Sequence, residues 1–175
     1  MRVVAAVTTH GGLDGALQDE YFYRLAAEAS DGVYSAEDMR RMSEAWLLGE
    51  YPGVDTVFDR LEPAGVDTAL LSNTNDAHWR RLVDDASDSP EFPNVRRAGR
   101  RYASHLLRLA KPDRRIYEAV AMDSGHQPSR ILFFDDGEAN VSGARDAGWT
   151  AELIDHAGDT AAQLLDALRR FALID

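Results

Sequence analysis

Apolar residues recur with a helical period in the first third of the chain, before any strand-like pattern dominates. One stripe on a single helical face consists of Tyr21, Phe22, Leu25, Ala26 and Ala29. A second stripe consists of Met39, Met42 and Trp46. Ser35 and Asp38 precede it with the spacing of a capping box, in which Asp replaces the usual Glu or Gln. The pattern predicts two helices before Gly49, preceded by a short apolar run at residues 3–7 that is a strand or a leader.

From Pro52 onward, short apolar runs alternate with helical stripes. The runs at residues 68–71, 131–134 and 150–154 predict strands, and a short extended segment is predicted near Tyr102. Residues 131–134 are apolar throughout, which is typical of a strand buried on both faces. Strands that alternate with helices predict an α/β fold, a Rossmann-like parallel sheet with helices on both faces. We expect residues 87–101, which are polar and basic, to form a loop.

Polar residues follow the predicted strands where catalytic groups collect in parallel sheets. Ser72 and Asn73 follow one strand, Asp135 and Asp136 follow another, and Lys111 precedes a helix. A hydroxyl with following backbone amides binds anions, a lysine adds positive charge, and adjacent carboxylates suit Mg²⁺. Each group alone is typical of turn or capping chemistry. Their joint occurrence in this order indicates a phosphoryl-binding site that acts by electrostatic stabilisation.

The charge balance limits the partners of this chain. Nineteen basic and 30 acidic side chains give a net charge of -11, so long-range fields repel nucleic acid and anionic lipid, and we expect neither as a partner. A phosphorylated substrate or free phosphate would also be repelled, unless a cation at the site makes the local electrostatic potential positive. No apolar run approaches the roughly 18 residues of a membrane helix. The chain has no cysteine, which suits a cytoplasmic protein.

Three segments resemble motifs of the haloacid dehalogenase (HAD) superfamily, in particular its sugar-phosphate phosphatases and epoxide-hydrolase N-terminal domains. Residues 70–75 (LLSNTN), 111–117 (KPDRRIY) and 131–136 (ILFFDD) are similar to its second, third and fourth motifs. Asn140, Gly143, Ala144 and Gly148 extend the last of these. The resemblance covers residues 52–155 and implies a HAD-like core at 51–175. Residues 1–50 then comprise the strand or leader and a partial helical cap.

The resemblance also implies a role for each site residue. Ser72 and Asn73 would bind the transferring phosphoryl group, and Lys111 would neutralise the nucleophile and the phosphate. Asp135 and Asp136 would hold Mg²⁺. The substrate would be a small phosphorylated metabolite. Carbon–halogen hydrolysis is disfavoured, because the Asp pair implies a metal that dehalogenation does not use. The order of the motifs also excludes a response-regulator receiver domain, because that class places the acidic pair first and the lysine last, whereas here the acidic pair comes last.

The first family motif, an apolar strand that ends in Asp-x-Asp, is not recognisable. Residues 3–9 contain no acid, although the first Asp would be the covalent nucleophile. Gly12-Leu13-Asp14-Gly15 keeps the position of the second Asp but has glycine in place of the nucleophile, and turn chemistry explains this segment better than a degraded motif. Alternatively, the first strand is missing because the chain is shortened or its start is misassigned. We therefore predict negligible phosphatase turnover.

Two functions are consistent with this pattern. One is a phosphatase-type HAD hydrolase with impaired chemistry, and the other is a non-catalytic phosphate-binding or protein-interaction module. A missing first strand would also leave the sheet open beside Leu70 and Ile131. Either residues 2–9 fill that slot or a second molecule covers it, and an exposed strand edge favours a homodimer. The five histidines show no ligand spacing, so we expect surface or capping roles for them.

Overall fold

The computed structural model describes the backbone of residues 3–6 and residues 19–175. Its centre is a five-stranded parallel sheet with the order β3-β2-β1-β4-β5. The strands are β1 (Val3–Ala6), β2 (Asp67–Ser72), β3 (Arg100–Ala103), β4 (Ile131–Asp135) and β5 (Thr150–Leu153). The predicted α/β fold with a parallel sheet is confirmed. No helix in the described residues is long and apolar enough to cross a membrane.

The N-terminal run fills the central slot of the sheet. Val3 pairs with Asp67 of β2 on one side and Ile131 of β4 on the other, and Ala6 pairs with Phe134. Of the two predicted alternatives, the chain itself therefore occupies the slot. The homodimer loses the structural reason on which it rested and stays a prediction. The candidate remnant of the first motif, residues 12–15, lies outside the described residues.

The predicted N-terminal helix pair is present as α1 (Asp19–Ala29) and α2 (Ala36–Glu44). The capping box forms as predicted, because Ser35 Oγ accepts from Asp38 N–H and the Asp38 carboxylate accepts from Ser35 N–H. Helix α2 ends at Glu44 rather than near Gly49. At that end the Arg81 guanidinium donates to the Glu44 carbonyl at 2.7 Å, so a side chain from a distant part of the sequence takes the place of a further helical turn.

Helices cover both faces of the sheet, as predicted. They are α3 (Val54–Leu61), α4 (Asp76–Leu82), the one-turn α5 (Ser104–Leu107), α6 (Arg114–Ser124), α7 (Glu138–Asp146) and α8 (Thr160–Arg170). Phe133 of β4 packs in a cluster with α6 and α7, whereas Phe134 packs in a second cluster with α3 and α8. Because successive strand side chains point to opposite faces, the apolar β4 serves both clusters.

The segment between α4 and β3 is more ordered than the predicted loop. Helix α4 ends at Leu82, a 3₁₀ turn spans Pro93–Arg97, and β3 begins at Arg100. The polar and basic sequence of this segment predicted a loop, but its basic side chains form ion pairs with distant acidic residues, and these order the segment. Arg97 binds Asp59 and Glu62 at 2.7 Å each.

The division into residues 1–50 and 51–175 stays a proposal.

Candidate anion-binding site at the carboxyl edge of the sheet

The carboxyl ends of β2 and β4 bring Ser72, Lys111 and Asp135 together. Ser72 and Asp135 are the last residues of their strands, and Lys111 lies in the loop before α6. Lys111 Nζ donates to the Leu71 carbonyl and to Asp135 Oδ2, at 2.9 Å each. Its side chain is 1% exposed and that of Asp135 is not exposed. The lysine thus bridges β2 and β4, and the predicted convergence of these residues on one edge of the sheet is present.

Asp135 is fully engaged by protein groups. In addition to the ion pair with Lys111, its Oδ1 accepts from Gly137 N–H at 2.8 Å and from Asn140 Nδ2 at 2.9 Å. Burial lowers the pKa of Lys111, and the Asp135 carboxylate opposes that shift. A buried charge is tolerated only when it is paired and hydrogen-bonded, and this pair meets both conditions. Asp135 therefore fixes the lysine in place.

The side chain of Asn73 points to the backbone of Lys111. Asn73 Nδ2 donates to the Lys111 carbonyl at 2.8 Å, and Asn73 Oδ1 accepts from Lys111 N–H at 2.9 Å. The Lys111–Pro112 peptide bond is cis. The side-chain amide of Asn73 therefore holds the loop that carries Lys111.

Close packing of α7 against the lysine loop explains the glycine in the fourth motif. A Cβ on Gly143 would lie 2.5 Å from the Pro112 carbonyl oxygen, which is closer than real Cβ atoms approach. Tyr117 of α6 also donates from its hydroxyl to the Asn140 carbonyl at 2.8 Å. Helix α7 therefore contacts both the lysine loop and α6.

Asp136 has a different environment from Asp135. It borders a cavity of about 630 Å³ with a largely apolar lining that includes Trp46 and Leu48. Asp136 Oδ2 lies 3.7 Å from His156 Nδ1, and its side chain is 7% exposed. Burial and the charge of Asp136 raise the pKa of Tyr51, which also lines the cavity. The two aspartates thus differ in what they face.

Two residues at this cavity were not predicted from the sequence. His156 follows β5, and extending the strand-end argument to that strand would have found it. Tyr51 lies in the connection between the helix pair and α3, and its position carries no local signal. Ser104 and His105, which contact the loop after β2, were also missed.

The residues present fit a metal ion in part. Within the described residues, no group of three or more His, Asp or Glu side chains could hold a metal. The oxygens of Asp135 are directed at Lys111, Gly137 and Asn140. Asp136 is the hard oxygen ligand that borders the cavity, and carboxylates of this kind suit Mg²⁺.

Known proteins share both the sequence pattern and the fold. A family model described as haloacid dehalogenase-like hydrolase matches residues 10–148. Phosphatase MT3486 of Mycobacterium tuberculosis (strain CDC 1551 / Oshkosh) is 28% identical over 141 residues, which are 81% of this chain and 63% of the relative. (S)-2-haloacid dehalogenase 4A of Burkholderia cepacia is 25% identical over 146 residues, 79% of this chain and 61% of that protein. The chain thus spans about three fifths of these relatives' length.

A solved structure supports the same fold. The HAD family enzyme of Bacteroides thetaiotaomicron, crystallised as an Asp-to-Ala mutant with magnesium and inorganic phosphate, superposes with a TM-score of 0.74 and 20% identity. The match covers 92% of this chain and 96% of that one. With the family model matching most of its length, this chain belongs to the haloacid dehalogenase-like hydrolase family.

Proposed function

We propose that this chain is a phosphatase-type HAD core that binds the phosphoryl group of small phosphorylated metabolites and has impaired turnover. The observation that carries this proposal is the buried Lys111–Asp135 ion pair beside Ser72 at the carboxyl edge of the sheet. With a net charge of -11, the chain needs a fixed local cation to attract an anion. The acidic charge disfavours a nucleic-acid partner, and the lack of cysteine in the sequence suits a cytoplasmic location.

Each site residue has a separate role in this proposal. The Ser72 hydroxyl would donate to one phosphoryl oxygen, and the backbone amide of Asn73 would donate to another. Lys111 supplies positive charge from a position fixed by Asp135 and the Leu71 carbonyl. Charge held in a buried site is more effective than charge in water, because little reorganisation is needed.

Mg²⁺, when bound, would neutralise the phosphoryl oxygens. Asp136 would hold it directly, whereas Asp135, engaged with Lys111 and two amide groups, would contribute by fixing its surroundings. Both aspartates stay in the proposed metal site, with unequal parts. The magnesium and inorganic phosphate in the crystals of the Bacteroides thetaiotaomicron enzyme support Mg²⁺ and phosphate as the ligands of the proposed site.

The size of the adjoining cavity supports a small substrate. A volume of about 630 Å³ lies within the range of roughly 300–1,000 Å³ that holds small-molecule ligands. Asp136 and His156 border this cavity, so a bound phosphoryl group and the rest of its molecule would occupy neighbouring spaces. The phosphatase from M. tuberculosis supports the phosphoryl class of substrate.

Impaired turnover follows from the residues of β1. An aspartyl-phosphate mechanism needs a carboxylate nucleophile at the end of this strand, and residues 3–9 contain no acid. The alternative is a non-catalytic phosphate-binding or protein-interaction module. The lack of an acid in residues 3–9 favours this alternative if no other side chain attacks the phosphorus atom. Phosphate binding without turnover distinguishes this alternative from a weakly active hydrolase.

The test measures binding and turnover separately. Isothermal titration calorimetry with inorganic phosphate and Mg²⁺ should detect binding, and Ser72→Ala and Asp136→Asn should each weaken it about tenfold. Ser124→Ala serves as the control, because Ser124 is a buried serine whose hydroxyl donates within α6, to the Ala121 carbonyl. Mg²⁺-dependent hydrolysis of p-nitrophenyl phosphate would favour the hydrolase over the module. Absence of phosphate binding by the wild-type chain would refute both.

A further inference from the structure

The loop that follows Ser72 is held by other elements at each successive residue. Asn73 is bound to Lys111, and the Asn75 side chain accepts from His78 N–H at 2.8 Å as the N-cap of α4. Thr74 between them is 1% exposed. Ser104 and His105, which directly follow β3, bind the N–H and the carbonyl of Thr74.

Ser104 and His105 contact both polar backbone groups of Thr74. Ser104 Oγ accepts from Thr74 N–H at 3.0 Å and donates to the Thr74 carbonyl at 3.1 Å. His105 Nδ1 lies 3.1 Å from the same carbonyl. Because a carbonyl only accepts, Nδ1 carries the proton, and the carbonyl receives two donors. Ser104 is completely buried, so these bonds are shielded from water.

The histidine acts through one nitrogen. Within the described part of the chain, His105 Nε2 is buried and has no hydrogen-bond partner. The ring packs against Trp79 in an edge contact, with centroids 6.2 Å apart. Its polar contribution is therefore the Nδ1–H bond to Thr74, and its orientation is fixed by the aromatic neighbour.

We propose that Ser104 and His105 are positioning residues for anion binding. They hold the N–H and the carbonyl of Thr74, which belong to the two peptide groups that flank this residue, and through them the orientation of the Asn73 amide. The inference rests on the proposed function of this loop as an anion cradle. Donors held in place before the anion arrives lose less conformational freedom on binding, so loosening the Thr74 peptide weakens affinity even though neither side chain touches the anion.

Four variants separate hydrogen bonding from shape. Ser104→Ala removes both bonds of the hydroxyl, and His105→Leu removes the Nδ1 donor while it keeps apolar bulk. His105→Asn retains an N–H at the position of Nδ1, whereas His105→Gln moves its amide to the position of Nε2. Ser124→Ala is the matched control for loss of a buried hydroxyl, and thermal unfolding of each variant reports on folding.

Two readouts are measured, amide hydrogen exchange at Thr74 by NMR and affinity for inorganic phosphate by calorimetry. We expect Ser104→Ala, His105→Leu and His105→Gln to speed Thr74 exchange and weaken phosphate binding by about threefold to tenfold, the effect of one hydrogen bond. His105→Asn and Ser124→Ala should stay within about twofold of the wild type.

The inference is overturned if Ser104→Ala and His105→Leu match Ser124→Ala in both readouts, or if His105→Gln behaves as His105→Asn. If the wild-type chain binds no phosphate, the proposed function fails and the anion-positioning inference fails with it. In that case, faster amide exchange at Thr74 in Ser104→Ala would show only that Ser104 stabilises the loop after β2, with no role in anion binding. Unchanged phosphate affinity beside faster exchange would refute the inference alone.

Discussion

The side-chain amide of Asn73 forms two hydrogen bonds with the backbone of Lys111, one to its carbonyl at 2.8 Å and one from its N–H at 2.9 Å. At its other end, the Lys111 ammonium donates to Leu71 and Asp135. The lysine is therefore fixed both at its backbone and at its charged group. Two segments 38 residues apart in sequence thus form one rigid unit.

Replacing Asn73 by Asp should destabilise this unit. The carboxylate can still accept from Lys111 N–H, but it cannot donate to the Lys111 carbonyl and repels it. We expect the free energy of unfolding to fall by about 1–3 kcal/mol, the cost of an unsatisfied buried group. Urea denaturation measures this change. Asn75→Asp is the control, since Asp is an equally good N-cap and should change stability by less than about 0.5 kcal/mol. Equal effects at both positions would contradict the role given to Asn73.

Lys111 and Asp135 should be strongly coupled in a double-mutant cycle. Lys111→Met alone leaves a buried carboxylate without its cation and should cost about 3–5 kcal/mol of unfolding free energy. Adding Asp135→Asn removes that charge, so the double variant should be less destabilised than the sum, by at least about 1 kcal/mol. The exposed pair Arg114 and Glu118 on α6 is the comparison, with an expected coupling of about 0.3–0.5 kcal/mol. Additive effects for Lys111 and Asp135 would show that the ion pair does not hold the site.

Gly143→Ala should push α7 away from the lysine loop. The new Cβ would meet the Pro112 carbonyl oxygen at 2.5 Å, a contact that only backbone movement relieves. We expect a loss of about 1–3 kcal/mol in stability, typical of overpacking, together with weaker phosphate binding. At Gly99 the nearest atom to an added Cβ is 3.3 Å away, so Gly99→Ala should cost clearly less. A neutral Gly143→Ala in thermal unfolding would argue against close packing of these segments.

Asp113, at the start of α6, should make stability depend on acid pH. Hydrogen bonds from the Arg115 guanidinium and backbone lower the pKa of Asp113 to about 2. Since the folded-state pKa is depressed, its stabilisation is present above the ordinary value of 3.8 and is lost as pH falls through about 2. Asp113→Asn keeps a cap acceptor but does not titrate. The wild type should therefore lose more stability than this variant when urea midpoints are compared across that interval. Parallel pH profiles for the two proteins would contradict this assignment.

Local patterns in the sequence were sufficient for much of the fold. The capping box at Ser35 and Asp38 formed as predicted, and the apolar run of β4 lies between two layers of helices. Gly125 ends α6 in the left-handed conformation that glycine adopts easily. These features depend on neighbouring residues, so the sequence pattern carries them directly.

The boundaries that were wrong depend on distant partners. Helix α2 ends where Arg81 reaches the Glu44 carbonyl, and the segment before β3 is ordered by ion pairs from Arg97 to α3 and the turn after it. The one-turn α5 is too short to leave a periodic signal. None of these contacts can be read from residues close in sequence.

By itself, the sequence determined the α/β class, the family motifs and the convergence of Ser72, Lys111 and Asp135, because strand ends in a parallel sheet share one edge. Only the tertiary structure decided that β1 fills the central slot, that Asn73 binds Lys111 and that Asp135 and Asp136 face different surroundings. The reason is physical. Residue type and spacing set which chemistry is available, whereas hydrogen-bond partners and burial depend on segments that meet only when the chain folds.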